Sequence, residues 1–152
     1  MMRISVQKED FSLEQESLAL RGNRTDIGAI VSFSGLVRDF PEGSLKCMTL
    51  EHFPGMAEKQ LAAIAEEARK RWPLQEVTVI HRYGELRPGE QIVLVLTASL
   101  HRQAAFEAAQ FLMDWLKTDA PFWKKEKTGD DETWVEAKKE DDDARDKWLK
   151  KS

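Results

Sequence analysis

Cysteine is almost absent from this chain of 152 residues, which contains only Cys47. A single thiol excludes an intramolecular disulfide and a metal centre built from several cysteines, and it suits a reducing compartment. The N-terminal stretch has no apolar core of signal-peptide length. No run approaches the roughly 18 apolar residues of a membrane span. These absences predict a cytoplasmic protein that does not associate with a membrane.

The chain also lacks a basic excess, because its net charge is -4. This charge argues against a general nucleic-acid binder. The sequence contains no G-x-G-x-x-G, G-x-x-x-x-G-K-[ST], H-E-x-x-H or G-x-S-x-G motif. The histidines, His52, His81 and His101, are widely spaced, so neither a metal site nor a bound cofactor is predicted.

The hydrophobic pattern is that of a globular protein with an α+β fold, a mostly antiparallel sheet and two main helices. The main helices are predicted at 56–72 and 102–118, each ended by a following proline. A shorter helix is predicted at 13–21. Strands are predicted at 3–7, 27–37, 47–53, 76–83, 91–99, 122–127 and 133–136.

Several finer features follow from the same pattern. The strand at 47–53 is predicted to form a hairpin with the strand before it. Gly28 and Gly35 predict a bulge or a close approach by another backbone. Residues 84–89 are predicted to be a turn. We expect one domain over 1–140, followed by a charged tail over 141–152.

Positive side chains lie at both ends of the apolar helix at 102–118. His101 and Arg102 stand where a buried strand turns into the helix, and free N–H groups there favour an anion. Lys117 lies near the other end, and a lysine among apolar groups and other cations becomes a usable base or nucleophile. The alternatives are a solvated arginine beside a strand-capping histidine and a lysine that only satisfies the helix dipole.

Three further positions carry predictions of their own. Lys124 and Lys125 are neighbours in a predicted strand, so only one of them can face the same pocket as Lys117. Arg38 ends a strand before a loop, where ligand-binding residues often lie, and the alternative is a plain surface arginine. Cys47 is expected to be buried and inert.

The length of the helix constrains the site. Arg102 and Lys117 are fifteen residues apart, which is about 22 Å along an α-helix. Both side chains cannot contact one small substrate within a single chain. If both serve one site, a second copy must supply one of them, which predicts a homodimer with a shared pocket.

The sequence resembles the catalytic-subunit family of molybdopterin synthase. The resemblance covers about residues 3–138. Its matching segments are GAIVSFSGLVRDF (28–40), LEHFPGMAEKQL (50–61), RWPLQEVTVIHRYGEL (71–86), SLHRQAAFEAAQFLMDWLKTDAPFWKKE (99–126) and WVEAK (134–138).

The resemblance implies an α/β hammerhead fold and a sulfurtransferase of molybdenum cofactor biosynthesis. It implies a homodimer that forms a heterotetramer with two small ubiquitin-like carriers, each ending in a Gly-Gly thiocarboxylate. The implied substrate is cyclic pyranopterin monophosphate (precursor Z), which receives two sulfurs to form the dithiolene of molybdopterin. A non-catalytic dimeric module that binds a ubiquitin-like tail is the alternative.

The resemblance also implies site residues. It places Lys117 and Lys124 at the positions of the catalytic lysines. The substrate-contact positions are Leu36, Val37, Arg38, His101, Arg102, Lys117, Lys124, Lys125 and Glu126. Phe33 and Met113 match pocket-lining positions. One departure is Lys138, where some members carry arginine, and because lysine lacks the bidentate fork we assign that position no contact.

Overall fold

The computed structural model of the chain describes residues 2–119, 121–129, 131–135 and 145–150. Its strands are β1 (Met2–Gln7), β2 (Ala29–Leu36), β3 (Cys47–His52), β4 (Leu74–Arg82), β5 (Gly84–Leu86), β6 (Gln91–Ser99), β7 (Phe122–Thr128) and β8 (Asp131–Val135). Its helices are α1 (Leu13–Arg21), α2 (Met56–Arg71), α3 (Arg102–Thr118) and a short 3₁₀ turn at Lys147–Lys150. The predicted α+β class is confirmed, and both main helices lie where the sequence placed them.

The strands form two four-stranded sheets. The first has the order β1-β4-β6-β2 and is antiparallel except for the parallel pair β1 and β4. The second has the order β5-β3-β7-β8 and is antiparallel throughout. Strand β6 is an inner strand, which agrees with its continuous apolar sequence.

The predicted hairpin of β2 with β3 is wrong. Strand β2 pairs with β6, whereas β3 lies in the other sheet between β5 and β7. The connecting loop has its own apolar anchors, since Val37 and Leu45 are buried against residues of β3 and β5. The chain therefore crosses from one sheet to the other instead of turning back. The segment predicted as a turn at 84–89 also begins with strand β5, because Leu86 is buried and pairs with Met48.

The first sheet has apolar side chains on both faces. Alternate residues of β6 point to opposite sides, as the pleat of a strand requires. Val93 and Val95 pack under α2 and α3, whereas Leu94 and Leu96 pack on the side of α1. Helix α3 is seated by Ala105 and other small residues that are fully buried. The packing of α3 on the first sheet therefore fixes the position of the C-terminal end of this helix.

Two glycines allow close contacts at β2. A Cβ atom on Gly28 would lie 1.9 Å from the carbonyl oxygen of Leu100, so another residue there would have to displace the backbone. The register between β2 and β6 shifts between Gly35 and Leu36, which confirms the predicted bulge. Both features position the ends of β2.

The C-terminal segment packs against the two main helices. Trp148 is buried and contacts the rings of Trp72 and Phe111. Its Nε1 donates to Oδ2 of Asp114 at 2.5 Å, and Arg145 pairs with Asp119. Residues 145–150 therefore hold the C-terminal end of α3. The predicted boundary at residue 140 and Lys138 lie outside the described residues.

Candidate functional site

An open cleft of about 1080 Å³ lies where the end of β2, the last turn of α3 and strand β7 meet. Most of the residues predicted for the site line it. These are Phe33, Leu36, Val37, Arg38, Met113, Lys117, Lys124 and Glu126. We call this space the cationic cleft, since it brings three cations from three elements of one chain together.

Arg38 reaches the cleft because the backbone before it is fixed. The amide of Val37 donates to the carbonyl of Glu90, and the amide of Gly89 donates back to the carbonyl of Val37. Val37 is buried, so the next side chain, Arg38, emerges at the surface of the cleft. Asp39 closes the loop by accepting from the amides of Phe40 and Leu45.

Lys117 lies in the last turn of α3 and is exposed. The apolar side of the helix faces the core, so the turn that carries Lys117 is held in place by buried neighbours such as Met113. The helix ends with the amide of Asp119 donating to the carbonyl of Trp115. Lys117 thus places an exposed ammonium group on a backbone turn that is held by buried neighbours.

Strand β7 supplies the second lysine. Lys124 is half-buried and lines the cleft, with Phe122 and Glu126 on the same side of the strand. Lys125 points to the opposite face and does not line this cleft. The alternation of a strand separates the two lysines, as the sequence indicated.

His101 and Arg102 do not line the cleft of their own chain. His101 is the N-cap residue of α3 and makes no side-chain capping bond, and both residues are exposed. Helix α3 is unbroken over its 17 residues, from Arg102 to Thr118, so it separates Arg102 from Lys117. The ends of α3 are therefore far apart, and the structure brings only Lys117 into this site.

His81 also lines the cleft, and the sequence predictions considered it only as a metal ligand. It lies in β4, is 7% exposed, and stacks on the ring of Phe122 with the centroids 3.8 Å apart. Its Nδ1 lies 2.8 Å from the carbonyl oxygen of Arg82. Because that carbonyl can only accept, Nδ1 donates and Nε2 carries the lone pair of the neutral ring.

Burial lowers the pKa of His81 from its usual value of 6.5 to about 4. Electrostatic interactions with Lys124, His52 and Lys117 lower this pKa further, whereas the hydrogen bond to Arg82 opposes the change. His81 is therefore neutral at pH 7, although two lysines lie near it. The sequence did offer one sign of a site here, since His81 is a polar residue near the end of a buried strand. Its contact with Phe122 of β7 could not be predicted, because the two residues are far apart in the sequence.

The cleft suits an anionic ligand. Arg38, Lys117 and Lys124 offer donors and positive charge, with carboxylates from Asp39 and Glu126 at its sides. No group of three or more histidine, cysteine or carboxylate side chains that could hold a metal ion occurs among the described residues. None of the helices in the described part of the chain is long and apolar enough to cross a membrane.

Fold and site together define an α+β protein with a cleft lined by an arginine and two lysines. Comparison with known proteins gives the family. The model of the MoaE protein family matches residues 6–119. The molybdopterin synthase catalytic subunit of Mesorhizobium japonicum is 56% identical over 151 residues, covering 98% of this chain and 94% of the relative.

Two further relatives agree. The molybdopterin synthase catalytic subunit of Escherichia coli K12 is 52% identical over 147 residues, covering 96% of this chain and 97% of its own. The solved MoaE protein of Burkholderia ambifaria superposes with a TM-score of 0.84 at 49% identity, covering 98% of this chain and 99% of the other. The chain belongs to the MoaE family, whose curated relatives are molybdopterin synthase catalytic subunits.

Proposed function

We propose that this protein is the catalytic subunit of a molybdopterin synthase. It transfers sulfur from the C-terminal thiocarboxylate of a small ubiquitin-like carrier to cyclic pyranopterin monophosphate, and two transfers form the dithiolene. The observation that carries this proposal is the meeting of Lys117, Lys124 and Arg38 in one cleft. The relatives' name supports the partner, since a catalytic subunit implies a further subunit.

The sulfur has to come from outside the chain. Cys47 is the only cysteine, is buried in β3, and does not line the cationic cleft. A buried thiol away from the reacting groups is a poor nucleophile and a poor sulfur donor. A carrier tail with its own thiocarboxylate supplies the missing atom. A cleft of about 1080 Å³ is slightly larger than the usual pocket for one small ligand, so it leaves room for an extended tail.

The positions of the cations suggest how they divide the reaction. Arg38 at the mouth holds the phosphate of the substrate through charge-assisted hydrogen bonds. Lys117 acts as general acid and base or as a transient covalent partner at the reacting carbon. Lys124 in β7 orients and polarises the thiocarboxylate. Anionic intermediates are stabilised because these donors are already in place before the reaction.

A direct assay tests the function. The protein is mixed with thiocarboxylated carrier and cyclic pyranopterin monophosphate, and dithiolene formation is followed with carrier carrying an ordinary carboxylate as the control. We expect product only with the thiocarboxylate. Tight carrier binding with no product would instead identify a non-catalytic module for ubiquitin-like tails.

A cytoplasmic location remains a prediction from the sequence.

We infer a homodimer, because two residues predicted for the site do not reach the cleft of their own chain. His101 and Arg102 are exposed and lie a helix length from the lysines of their own chain. Apolar side chains beside them are also exposed, with Leu100 at 55% and Phe106 at 60%. Such neighbours favour a protein interface. We infer that His101 and Arg102 complete the cleft of a second copy, and that two carriers then make a heterotetramer.

A heterodimer of two variants tests this shared site. One chain carries Arg102→Ala, the other carries Lys117→Ala, and two different affinity tags allow the mixed dimer to be isolated. One of its clefts then has an intact arginine and an intact lysine, while the other has neither. We expect about half of the wild-type turnover, although each variant homodimer is strongly impaired.

If both residues served the same chain, the mixed dimer would contain no intact site. Its activity would then not exceed the mean of the two variant homodimers, and the shared-site proposal would fail. The carrier-binding stoichiometry of the mixed dimer, measured by calorimetry, checks that both clefts still accept the partner.

A further inference from the structure

His81 presents a hydrogen-bond acceptor in a cleft whose cations can only donate. We propose that Nε2 of His81 accepts a hydrogen bond from an N–H or O–H group of the substrate's heterocycle, which makes His81 a substrate-binding residue. This inference rests on the proposed function, because it concerns the ligand of the same cleft. It adds recognition of the uncharged part of the substrate to recognition of its phosphate.

The geometry of His81 is fixed from two sides. Its Nδ1 donates to the carbonyl of Arg82 at 2.8 Å, and its ring lies flat on Phe122 with an interplanar angle of 10°. The tautomer and the ring plane are therefore both determined. Nε2 makes no hydrogen bond within the described part of the chain, and it keeps contact with the space of the cleft. An acceptor held in this way needs no rearrangement when a donor arrives.

Charge distinguishes His81 from the other groups of the cleft. Arg38, Lys117 and Lys124 carry donors only, so they recognise the anionic part of a ligand. Asp39 accepts from two backbone amides through Oδ1, and Asp39 and Glu126 are carboxylates that would bring a negative charge to the ligand. His81 is buried, with 7% of its surface exposed, and it is uncharged at neutral pH. It can accept from a neutral donor without bringing a second charge to the substrate.

An acceptor in this position creates specificity. A ligand without an N–H or O–H group at this point would leave Nε2 cut off from water and unpaired, which weakens its binding. The cleft is thus suited to an anionic heterocycle with a donor edge. Phosphate alone would satisfy the cations but not His81.

Two substitutions and one spectrum test the proposal. His81→Phe keeps an aromatic ring that can stack on Phe122, but it removes the Nε2 acceptor together with the Nδ1 donor to Arg82. His81→Gln retains an acceptor oxygen. In the dithiolene assay we expect His81→Phe to raise the KM for cyclic pyranopterin monophosphate about tenfold, with a smaller change in kcat. His81→Gln should recover part of this loss. Carrier affinity should stay the same in both.

Nitrogen NMR of the wild-type protein measures the chemical shift of Nε2 of His81. This shift would not respond to substrate if His81 had only a structural role. On addition of the substrate, the Nε2 resonance of His81 should shift as it accepts a hydrogen bond, while Nδ1 stays protonated. Inorganic phosphate at the same occupancy should not produce this shift. If His81→Phe is unstable, this titration decides the question alone.

The outcomes separate the two proposals. An active wild type whose KM is unchanged by His81→Phe and whose Nε2 resonance does not respond to substrate overturns the role of His81 only. A wild type that binds carrier but forms no dithiolene overturns the proposed function. In that case an Nε2 shift on substrate addition would still support His81 as a contact.

Discussion

Replacing Lys117 with alanine is expected to lower kcat for dithiolene formation at least about a hundredfold, which is the usual effect of losing a general acid or base. The side chain lies in the cationic cleft and has no packing role, because it is exposed at the end of α3. Stability should therefore change by no more than about 0.5 kcal/mol. Single-turnover assays with preloaded carrier measure the chemical step separately from binding.

Helix α2 offers a matched control for this substitution. Lys70 is an exposed lysine in the last turn of α2, as Lys117 is in α3, but it does not line the cleft. Lys70→Ala should remove the same helix-end charge and leave turnover unchanged. Lys117→Arg restores the charge without a nucleophilic amine. Full turnover by Lys117→Ala with unchanged carrier binding would show that the catalytic assignment is mistaken.

The main helices could be predicted from sequence because their signals are local. Spaced apolar residues define the buried side of each helix, and Pro73 ends the first while Pro121 blocks continuation of the second. The same locality explains the separation of Lys124 from Lys125, since alternation is a property of any strand. The length of α3 alone shows that Arg102 and Lys117 cannot meet within one chain.

Strand pairing could not be predicted in the same way. The hairpin of β2 with β3 was the simplest local solution, but β3 pairs with β7, about 75 residues further along the chain. The pairing in this sheet depends on which apolar side chains can be buried together, as Leu50 of β3 and Leu86 of β5 are. Trp148 is a similar case, because a lone tryptophan in a charged tail gives no indication that it packs on Trp72.

The place of His81 in the cleft was missed for the same reason. Its stacking partner Phe122 comes from β7, and the two strands are in different sheets. Composition and spacing show three scattered histidines, and only the packing of the sheets reveals that one of them lines the cleft near two lysines. Contacts between sheets are thus the part of the site that the sequence conceals.

His81 should also make the stability of the protein depend on pH. Its pKa is about 4 in the folded chain, compared with an ordinary 6.5 when unfolded. Between these values the unfolded chain binds a proton that the folded chain does not, so the free energy of unfolding falls as the pH falls from 6.5 to 4. The difference corresponds to roughly 3 kcal/mol per chain, and the loss is complete below pH 4.

Urea unfolding at fixed protein concentration between pH 7 and pH 4 measures this effect. His81→Gln cannot be protonated, so its stability should fall much less than that of the wild type over this range, whatever its stability at pH 7. The lowered pKa of Asp10 and of Asp26 is common to both proteins, because it comes chiefly from hydrogen bonds elsewhere. Parallel pH profiles for wild type and His81→Gln would mean that the pKa of His81 is the same in the folded and unfolded chain, and that burial and the neighbouring lysines do not keep it neutral.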